Sequence, residues 1–421
     1  MINDSCSLYP WKVQGGYDPI KVVKSEGVFF WDDNGKRYYD MTSQLVNVNI
    51  GHHNRKIIRA IKEQAGRICY ISPAYDVDGR QELANKIISL APANMGKVLF
   101  TLGGAESNEH ALRIARAFTG RYKVMSRYRS YHGATFGAAN LSGESRRFAA
   151  EPGLSGFVKF FDPYIYRDNM GFKSEEEATA WYLYRLEQQI IFEGADQIAA
   201  IFMESVTGSN GIIIPPAGYM QGVRKLCTKY GILMVCDEVM TGWLRTGKWF
   251  ACQNWDVEPD IITFSKGITC GYVPLGGVIV SREIASYFDS HQLVSGLTCS
   301  GYPMGCAVGL AVISEYERLN IPAKVAFTGK VLARELKKLY KKHSCIGDIR
   351  CIGLFAGIEL VRDRATREPV SDEYMTDLIR RLMNEGFSTY THGNVLIIAP
   401  PLIITSAQIR EAMSIMNRVL D

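Results

Sequence analysis

The sequence predicts an α/β protein with a large, mostly parallel sheet domain and a smaller α+β domain beside it. In the middle of the chain, short and nearly continuous apolar runs alternate with helical patterns, which is typical of a parallel sheet covered on both faces. The C-terminal third instead mixes helices and strands. The length of 421 residues also favours two domains, since one core rarely grows that large.

The large domain is predicted from alternating elements along the chain. The apolar runs predict strands over 97–102, 198–203, 232–236 and 261–264. Helical spacing predicts helices over 106–118 and 219–230, the second ending at Gly231, a typical helix stop. We expect this domain to span residues 51–300.

The small domain is predicted from both ends of the chain. Strands are expected over 353–361 and 395–398, with helices over 303–319, 373–384 and 407–420. Near the N-terminus, Asp33-Asn34-Gly35-Lys36 separates two aromatic runs and predicts a hairpin. We therefore expect residues 1–50 to form an N-terminal arm and part of the small domain, and residues 301–421 to form the rest of it.

Composition excludes several classes of protein. The net charge of +5 is mild and its basic residues are dispersed, so no nucleic-acid partner is expected. The ten cysteines are scattered without a CxxC pair, which indicates neither a metal site nor a disulfide framework. No apolar run is long enough for a membrane helix. Residues 1–6 lack a signal-peptide pattern, so a cytoplasmic location is expected.

Lys266 directly follows an apolar strand and precedes Gly267. Ligands of parallel sheets bind at the carboxyl ends of the strands. A lysine buried there has a lowered amine pKa and can form a Schiff base with an aldehyde. By itself, such a lysine is more often a surface residue at a strand end.

Two other features point to the same edge of the sheet. Asp237 ends another apolar strand, where a buried carboxylate needs a cationic partner such as a protonated pyridine nitrogen. Gly103-Gly104 joins a strand to a helix, and the free N–H groups of a helix N-terminus can bind a phosphate. Each alone is weak, because an acid can cap a turn and many strand-to-helix turns use glycine.

Taken in order, these residues resemble fold type I enzymes that depend on pyridoxal 5′-phosphate (PLP), and in detail the class III (ω-) aminotransferases. The resemblance covers nearly the whole chain. The matching segments are Gly104-Ala105-Glu106-Ser107-Asn108-Glu109, Tyr131-His132-Gly133, Met203-Glu204-Ser205, Pro215-Pro216-Ala217-Gly218-Tyr219, Asp237-Glu238-Val239-Met240-Thr241-Gly242, Arg245-Thr246-Gly247, Ser265-Lys266-Gly267, Pro274-Leu275-Gly276-Gly277 and Leu297-Thr298-Cys299-Ser300-Gly301.

The resemblance implies a large domain with a seven-stranded type of sheet, PLP as the cofactor and a role for each matching residue. Lys266 would carry the cofactor and move the proton. Asp237 would pair with the pyridine nitrogen, while Tyr131 and Val239 would pack on the two ring faces. The other implied cofactor-binding residues are Gly104, Ala105 and Ser107 at the phosphate, His132 as an orienting residue of its loop, and Glu204 near the phenolic oxygen.

Thr298 matches a threonine that reaches the phosphate of the neighbouring subunit in this family. The resemblance therefore implies a homodimer with shared active sites. The implied small-molecule partners are an amine donor and a 2-oxo acid acceptor.

The identity of the amine donor is inferred from two positions at which an arginine is missing. Ala134 and Tyr390 stand where family members place an arginine that binds a substrate carboxylate. Arg146 and Arg147 are the candidate replacements, because a guanidinium suits a carboxylate or sulfonate; a solvated surface pair is the alternative. Trp11 lies on an N-terminal arm that folds over the site in the family.

These features resemble the taurine branch of the family, with pyruvate or 2-oxoglutarate as acceptor. Other ω-amines remain alternatives: β-alanine, 4-aminobutyrate or a polyamine. An aminomutase or a decarboxylating transaminase on the same scaffold is a further alternative.

Overall fold

The computed structural model describes residues 6–15, 17–168 and 170–421. Residues 1–5, on which the expectation about a signal peptide rests, therefore lie outside the described residues. Within the described ranges, no helix combines the length and apolar character needed to cross a membrane.

The described residues form strands and helices along the whole chain. The strands are β1 (Val22–Glu26), β2 (Phe29–Asp32), β3 (Arg37–Asp40), β4 (Met95–Thr101), β5 (Lys123–Arg127), β6 (Phe157–Phe160), β7 (Ile198–Glu204), β8 (Leu233–Asp237), β9 (Ile261–Phe264), β10 (Gly276–Ser281), β11 (Ile346–Ile352), β12 (Phe355–Asp363), β13 (Glu368–Pro369), β14 (Phe387–Ser388), β15 (Tyr390–His392) and β16 (Val395–Ile398). The helical segments are α1 (Ser43–Val46), α2 (Arg55–Ala65), α3 (Arg80–Leu90), α4 (Gly104–Thr119), α5 (Phe136–Leu141), α6 (Glu175–Glu193), α7 (Tyr219–Tyr230), α8 (Arg282–Tyr287), α9 (Pro303–Arg318), α10 (Ile321–Lys342), α11 (Asp372–Asn384) and α12 (Ser406–Leu420).

The large sheet has seven strands in the order β4-β10-β9-β8-β7-β5-β6. Its neighbours from β9 to β6 run parallel, whereas β10 is antiparallel to both β4 and β9. Every residue of β7, β8 and β9 is buried. The prediction of a mostly parallel sheet covered on both faces is therefore confirmed, and the reversed strand β10 is an addition to it.

Helix α4 illustrates why the sequence folds this way locally. It begins after Gly103, whose backbone is extended, and ends at Gly120, whose φ of +66° favours glycine. Ala111, Ile114 and Ala115 form its buried face against the sheet, as their spacing predicts. The helix N-terminus consequently stands at the carboxyl edge of the sheet.

The remaining strands form two smaller sheets. One has the order β11-β12-β16-β15, with β13 paired to β12. The other has the order β1-β2-β3-β14, where β2 and β3 form the predicted antiparallel hairpin and β14 joins β3 in parallel. The N-terminal strands are thus tied directly to the C-terminal third. The domain limits at residues 50 and 300 stay a prediction.

A buried polar network connects the segment after β6 to strands β11 and β12. Glu359 accepts hydrogen bonds from Tyr164, from Arg167 and from Arg350, the last at 2.7 Å. Arg350 Nε also donates to the Gly211 carbonyl at 2.9 Å, in the loop that follows β7. Because Glu359 is almost fully buried, its charge depends on these partners.

Glu359→Gln should therefore destabilise the fold by about 3–5 kcal/mol, the usual effect of removing one partner from a buried ionic group. The measurement is the shift of the urea or thermal midpoint. Asp377→Asn is the matched control, since Asp377 pairs with Arg380 and Arg381 on an exposed helix face and should change stability by less than about 1 kcal/mol. Equal effects for the two variants would contradict a structural role for the network.

Candidate active site

Three functional side chains follow neighbouring strands at one edge of the large sheet. Glu204 ends β7, Asp237 ends β8, and Lys266 lies just beyond β9. Glu204 pairs in register with Asp237, and Asp237 pairs with Thr263 of β9. The parallel register therefore brings the two acids and the lysine together, as the sequence predicts for the carboxyl edge of such a sheet.

Asp237 is buried and fully engaged by N–H groups. Its Oδ2 lies 2.7 Å from His132 Nδ1 and 2.8 Å from Asn108 Nδ2. Its Oδ1 accepts the Val239 amide at 3.0 Å. These contacts fix both oxygens in the site, so the carboxylate has a defined orientation toward any cation that enters.

Asn108 is a site residue to which sequence reasoning gave no role. Its amide nitrogen donates to Asp237 and to the His132 carbonyl at 2.8 Å, and its oxygen accepts from Thr263 Oγ1 at 2.9 Å. One side chain thus joins α4, β9 and the loop after β5. The available signal was a polar residue on the buried face of an amphipathic helix, where a polar group needs partners.

His132 packs beneath the same carboxylate and is buried. Its amide donates to Ser142 Oγ at 2.8 Å, which fixes the loop, and its Nδ1 contacts Asp237. Its Nε2 has no partner in the part of the chain that the structure describes. The role of His132 as the residue that orients its loop stays a prediction.

Glu204 holds two loops from its position at the end of β7. Its Oε1 accepts the Tyr131 amide at 3.1 Å, and its Oε2 accepts the Gly208 amide at 2.6 Å. Burial raises the pKa of Glu204, and the neighbouring Asp237 charge raises it further. The side chain therefore connects the loop of Tyr131 to the loop that carries Ser209.

The turn at the start of α4 forms a cradle that has no room for larger side chains. A Cβ on Gly104 would lie 2.8 Å from both methyl carbons of Val239. Gly133 has a φ of +134°, and a Cβ there would lie 2.5 Å from Ala105 Cβ. Close backbone approach and free N–H groups at a helix N-terminus together suit a phosphate.

Ser107 contributes to this turn in a different way from the sequence expectation. Its buried hydroxyl lies 2.8 Å from Thr101 Oγ1 and donates to the Gly103 carbonyl at 2.9 Å. These contacts anchor the turn to the sheet. The backbone around Gly104 and Ala105 is therefore the part of the cradle that can bind an anion.

Lys266 has a left-handed backbone, with φ of +48°, an uncommon conformation for a non-glycine residue. Its Nζ donates to the Leu45 carbonyl at 3.0 Å. Burial lowers the pKa of the Lys266 amine to about 8, against the opposing charges of Asp237 and Glu204. The amine is therefore much closer to its neutral, nucleophilic form at neutral pH than an ordinary lysine.

Arg146 and Arg147 have different surroundings. The Arg146 guanidinium lies 3.8 Å from the centre of the Tyr131 ring, pairs with Glu144 and donates to Ser209 Oγ at 3.0 Å. Arg147 instead pairs with Glu151 at 3.1 Å. Arg146 thus lies beside the residues of the candidate site, whereas Arg147 pairs with a residue close to it in sequence.

Three other predicted residues have surroundings of their own. Tyr390 begins β15 and packs against a buried apolar cluster; burial raises its pKa, and the charges of Arg146 and Arg245 act against that rise. Trp11 is 63% exposed. Thr298 is exposed, and its carbonyl accepts from Tyr70 Oη at 3.1 Å.

The residues present fit PLP. The cradle at Gly104 and Ala105 suits the phosphate, the Lys266 amine suits the aldehyde, and the Asp237 carboxylate suits the pyridine nitrogen. Tyr131 and Val239 offer flat and apolar groups for the ring. This set of donors has one matching group for each chemical feature of the cofactor.

Comparisons with known proteins identify the family of this chain. The profile of the family described as aminotransferase class-III matches residues 12–420. The solved structure of the taurine:2-oxoglutarate aminotransferase from Bifidobacterium kashiwanohense, in complex with PLP and glutamate, is 46% identical with a TM-score of 0.97; the match covers 100% of this chain and 96% of that chain.

Two curated relatives extend the comparison. The taurine–pyruvate aminotransferase of Bilophila wadsworthia is 34% identical over 420 residues, covering 94% of this chain and 91% of the relative. The putrescine–pyruvate aminotransferase of Pseudomonas aeruginosa is 32% identical over 412 residues, covering 95% and 90%.

The fold and the match over nearly the whole chain define a PLP-dependent enzyme of fold type I. The chain belongs to the class III aminotransferases.

Asp237→Asn should keep those hydrogen bonds that an asparagine side chain can make, but it removes the negative charge that a protonated pyridine nitrogen requires. We expect kcat to fall by about 1000-fold or more, equivalent to roughly 4 kcal/mol of transition-state stabilisation. Steady-state kinetics with saturating PLP checks this. Asp196→Asn, an exposed substitution of the same type, should leave kcat unchanged; an unchanged kcat in Asp237→Asn as well would assign the nitrogen to another partner.

Proposed function

We propose that this aminotransferase moves the amino group of an ω-amine that carries an anion two carbons from the nitrogen. Taurine is the best candidate for the donor, and pyruvate or 2-oxoglutarate for the acceptor. The relatives named for taurine support this choice. The observation that carries the proposal is the Arg146 guanidinium, 3.8 Å from the Tyr131 ring.

The roles of the chain's own residues follow from their surroundings. PLP, when bound, supplies the electron sink for the carbanion. Lys266 is the candidate carrier of the cofactor and, once released, the base that takes a proton from the donor carbon and returns it as an acid. Its pKa of about 8 suits both directions near neutral pH. Asp237 keeps the charge at the pyridine nitrogen, and Tyr131 and Val239 hold the ring.

Arg146 can bind an anion without losing its present contacts. A guanidinium has five N–H groups, and the contacts to Glu144 and Ser209 use two of them. Its contacts with Glu144, Ser209 and the Tyr131 ring hold the guanidinium in a defined position. A sulfonate or carboxylate on the donor would meet a cation whose orientation is already set.

Two positions at which members of the family place an arginine also support the assignment of the donor anion to Arg146. Ala134 cannot bind an anion through its side chain, and Tyr390 offers a phenol whose pKa is raised by burial. We therefore assign the anion to Arg146, with Tyr390 as a wall of the same pocket. Trp11, exposed on its arm, is our candidate for a side chain that covers the donor.

A polyamine donor is the second candidate. Glu144 already pairs with Arg146, and this reduces the positive charge that a second ammonium group would meet. The relative named for putrescine supports keeping this alternative. A donor panel with taurine, β-alanine, 4-aminobutyrate and putrescine, each with pyruvate and with 2-oxoglutarate, separates the candidates. Turnover of putrescine without turnover of taurine would replace our first choice.

Arg146→Ala should raise KM for taurine by about 30-fold to 1000-fold, or about 2–4 kcal/mol, because the donor anion would be buried without its partner. A donor without an anionic group, such as propylamine, should be affected little. Arg146→Lys should recover only part of the loss, since an ammonium lacks the bidentate fork. Steady-state KM values for both donors provide the measurement.

Two controls accompany this prediction. Arg147→Ala removes a neighbouring guanidinium that pairs with Glu151 and should leave KM for taurine within about threefold, less than 1 kcal/mol. Glu144→Gln/Arg146→Ala removes both members of the resident pair, so that no unpaired Glu144 carboxylate remains. An equal loss for taurine and propylamine in all Arg146 variants would mean that Arg146 serves the fold.

We further propose a homodimer in which Thr298 completes the phosphate site of the partner subunit. Thr298 is exposed in the single chain, and Tyr70 fixes its backbone through a hydrogen bond. His110 on α4 contacts Ser295 Oγ in the same segment. Both contacts support a segment held in a defined position at the surface, where a second subunit could use it.

The cytoplasmic location also stays a proposal.

Thr298→Ala should weaken PLP binding by about 1–3 kcal/mol, the contribution of one hydrogen bond to a charged group. Mixed dimers of Thr298→Ala with Lys266→Ala subunits would contain one site that combines Lys266 with an intact partner threonine. That site should regain the affinity of the wild type in a PLP titration. Absence of recovery, or a fully active monomer in sedimentation experiments, would contradict shared sites.

A further inference from the structure

Arg245 is a fully buried cation that the proposed chemistry does not use. Its hydrogen bonds go to neutral acceptors from distant parts of the chain. These acceptors are the Leu354 carbonyl at 2.9 Å, the Pro400 carbonyl at 2.6 Å, Ser43 Oγ at 3.1 Å and Asn49 Oδ1 at 2.7 Å. A buried charge whose hydrogen bonds all go to neutral acceptors is expensive, so its retention requires a reason.

The charge of Arg245 persists at neutral pH. Burial lowers the pKa of its guanidinium to about 10. The groups that face it and oppose this change are Tyr316, Asp40, Cys270 and Tyr390. Arg245 therefore carries a permanent positive charge, which the groups around it compensate only in part.

One of the segments that Arg245 holds is strained. The turn α1 has φ values of +49°, +48°, +65° and +60° at Ser43, Gln44, Leu45 and Val46. Each L-residue in this left-handed conformation costs about 1–2 kcal/mol. Four such residues in succession persist only when the surroundings restrain them.

The restraints on α1 are visible in its hydrogen bonds. Ser43 Oγ accepts from Arg245 Nη2 and donates to the Ala399 carbonyl at 2.6 Å. Asp40 Oδ1 accepts the Gln44 amide at 3.2 Å. Arg245 thus fixes the first residue of the turn from the interior of the protein.

The strained turn leads directly to Lys266. The Leu45 carbonyl, in the middle of α1, accepts the Lys266 Nζ at 3.0 Å. A carbonyl in that place points the amine in one direction. The same turn that Arg245 restrains is therefore the acceptor that orients the lysine.

Arg245 also acts on Lys266 through its charge. Asp237 and Glu204 favour the ammonium form of Lys266, whereas Arg146 and Arg245 oppose it, in addition to the larger effect of burial. Removing the positive charge of Arg245 would shift the protonation equilibrium of Lys266 toward the ammonium, which is not nucleophilic. The two effects of Arg245, through the turn and through its charge, both concern the same amine.

We propose that Arg245 is a positioning residue that keeps the Lys266 amine oriented and, as a buried cation, opposes its protonation. This inference rests on the proposed role of Lys266 as the lysine that binds PLP. Arg245 touches neither the lysine nor any residue of the phosphate cradle. Its influence passes through the Ser43 contact and through the electrostatic field.

The charge effect is measured on the full-length protein after PLP removal. An acylating reagent modifies neutral amines, and mass spectrometry of the Lys266 peptide over a pH series gives the midpoint of its deprotonation. We expect a midpoint near 8 for the wild type. Arg245→Gln should raise it by about 0.5 pH unit or more, while Arg245→Lys retains the charge and should leave it in place.

The orientation effect is measured through Ser43. Ser43→Ala removes the anchor of α1 and leaves every charge, so the Lys266 midpoint should remain near 8. The rate of covalent PLP capture, measured well above that midpoint, should fall by about tenfold, since a freely rotating amine meets the aldehyde less often in a reactive geometry. Adding Gln44→Gly relieves part of the left-handed strain and should recover part of that rate.

The outcomes separate this inference from the function on which it rests. An unchanged midpoint in a folded Arg245→Gln, or an unchanged capture rate in Ser43→Ala, would overturn the role of Arg245. If Arg245→Gln fails to fold, the capture rates of the Ser43→Ala series still decide the question. Borohydride reduction of the holoenzyme identifies the lysine that carries PLP, and a different lysine would overturn the proposed function itself.

Discussion

The site depends on the parallel register of β7, β8 and β9. Their carboxyl ends reach the same edge of the sheet, so Glu204, Asp237 and Lys266 become neighbours although they are far apart in sequence. Apart from Thr263, the strands are apolar up to their last residues. The polar residues at and just beyond the strand ends are consequently the ones that can perform chemistry.

The charges at this edge balance one another. Two carboxylates stabilise the Lys266 ammonium, while burial and two guanidinium groups oppose it, and the pKa of the amine settles at about 8. Asp237 in turn opposes the ionisation of Glu204. Hydrogen bonds from Asn108 and Val239 hold Asp237 in place independently of these charges.

The sequence was sufficient for elements with a strong local signal. The strand at 261–264, the helix at 219–230 and the hairpin before residue 40 were predicted at the limits that the structure has. The reversed strand β10 was not predicted, because an apolar run gives no direction. Asn108 and Arg245 acquire their roles from contacts with residues more than 100 positions away, which no local pattern contains. Likewise, the sequence does not distinguish the surroundings of Arg146 from those of Arg147. Their different contacts are defined only in the folded structure.

The parallel pairing of β14 with β3 has a consequence for the synthesis of the protein. The carbonyl acceptor of Lys266 belongs to the N-terminal segment, which is anchored through Ser43 to Ala399, 356 positions later. Contacts of such long range form late, because a long loop must close first. The strands of the large sheet are all synthesised before residue 399, whereas the segment that carries the acceptor of Lys266 can be anchored only after that residue. Formation of the site thereby depends on a contact between two distant parts of the chain.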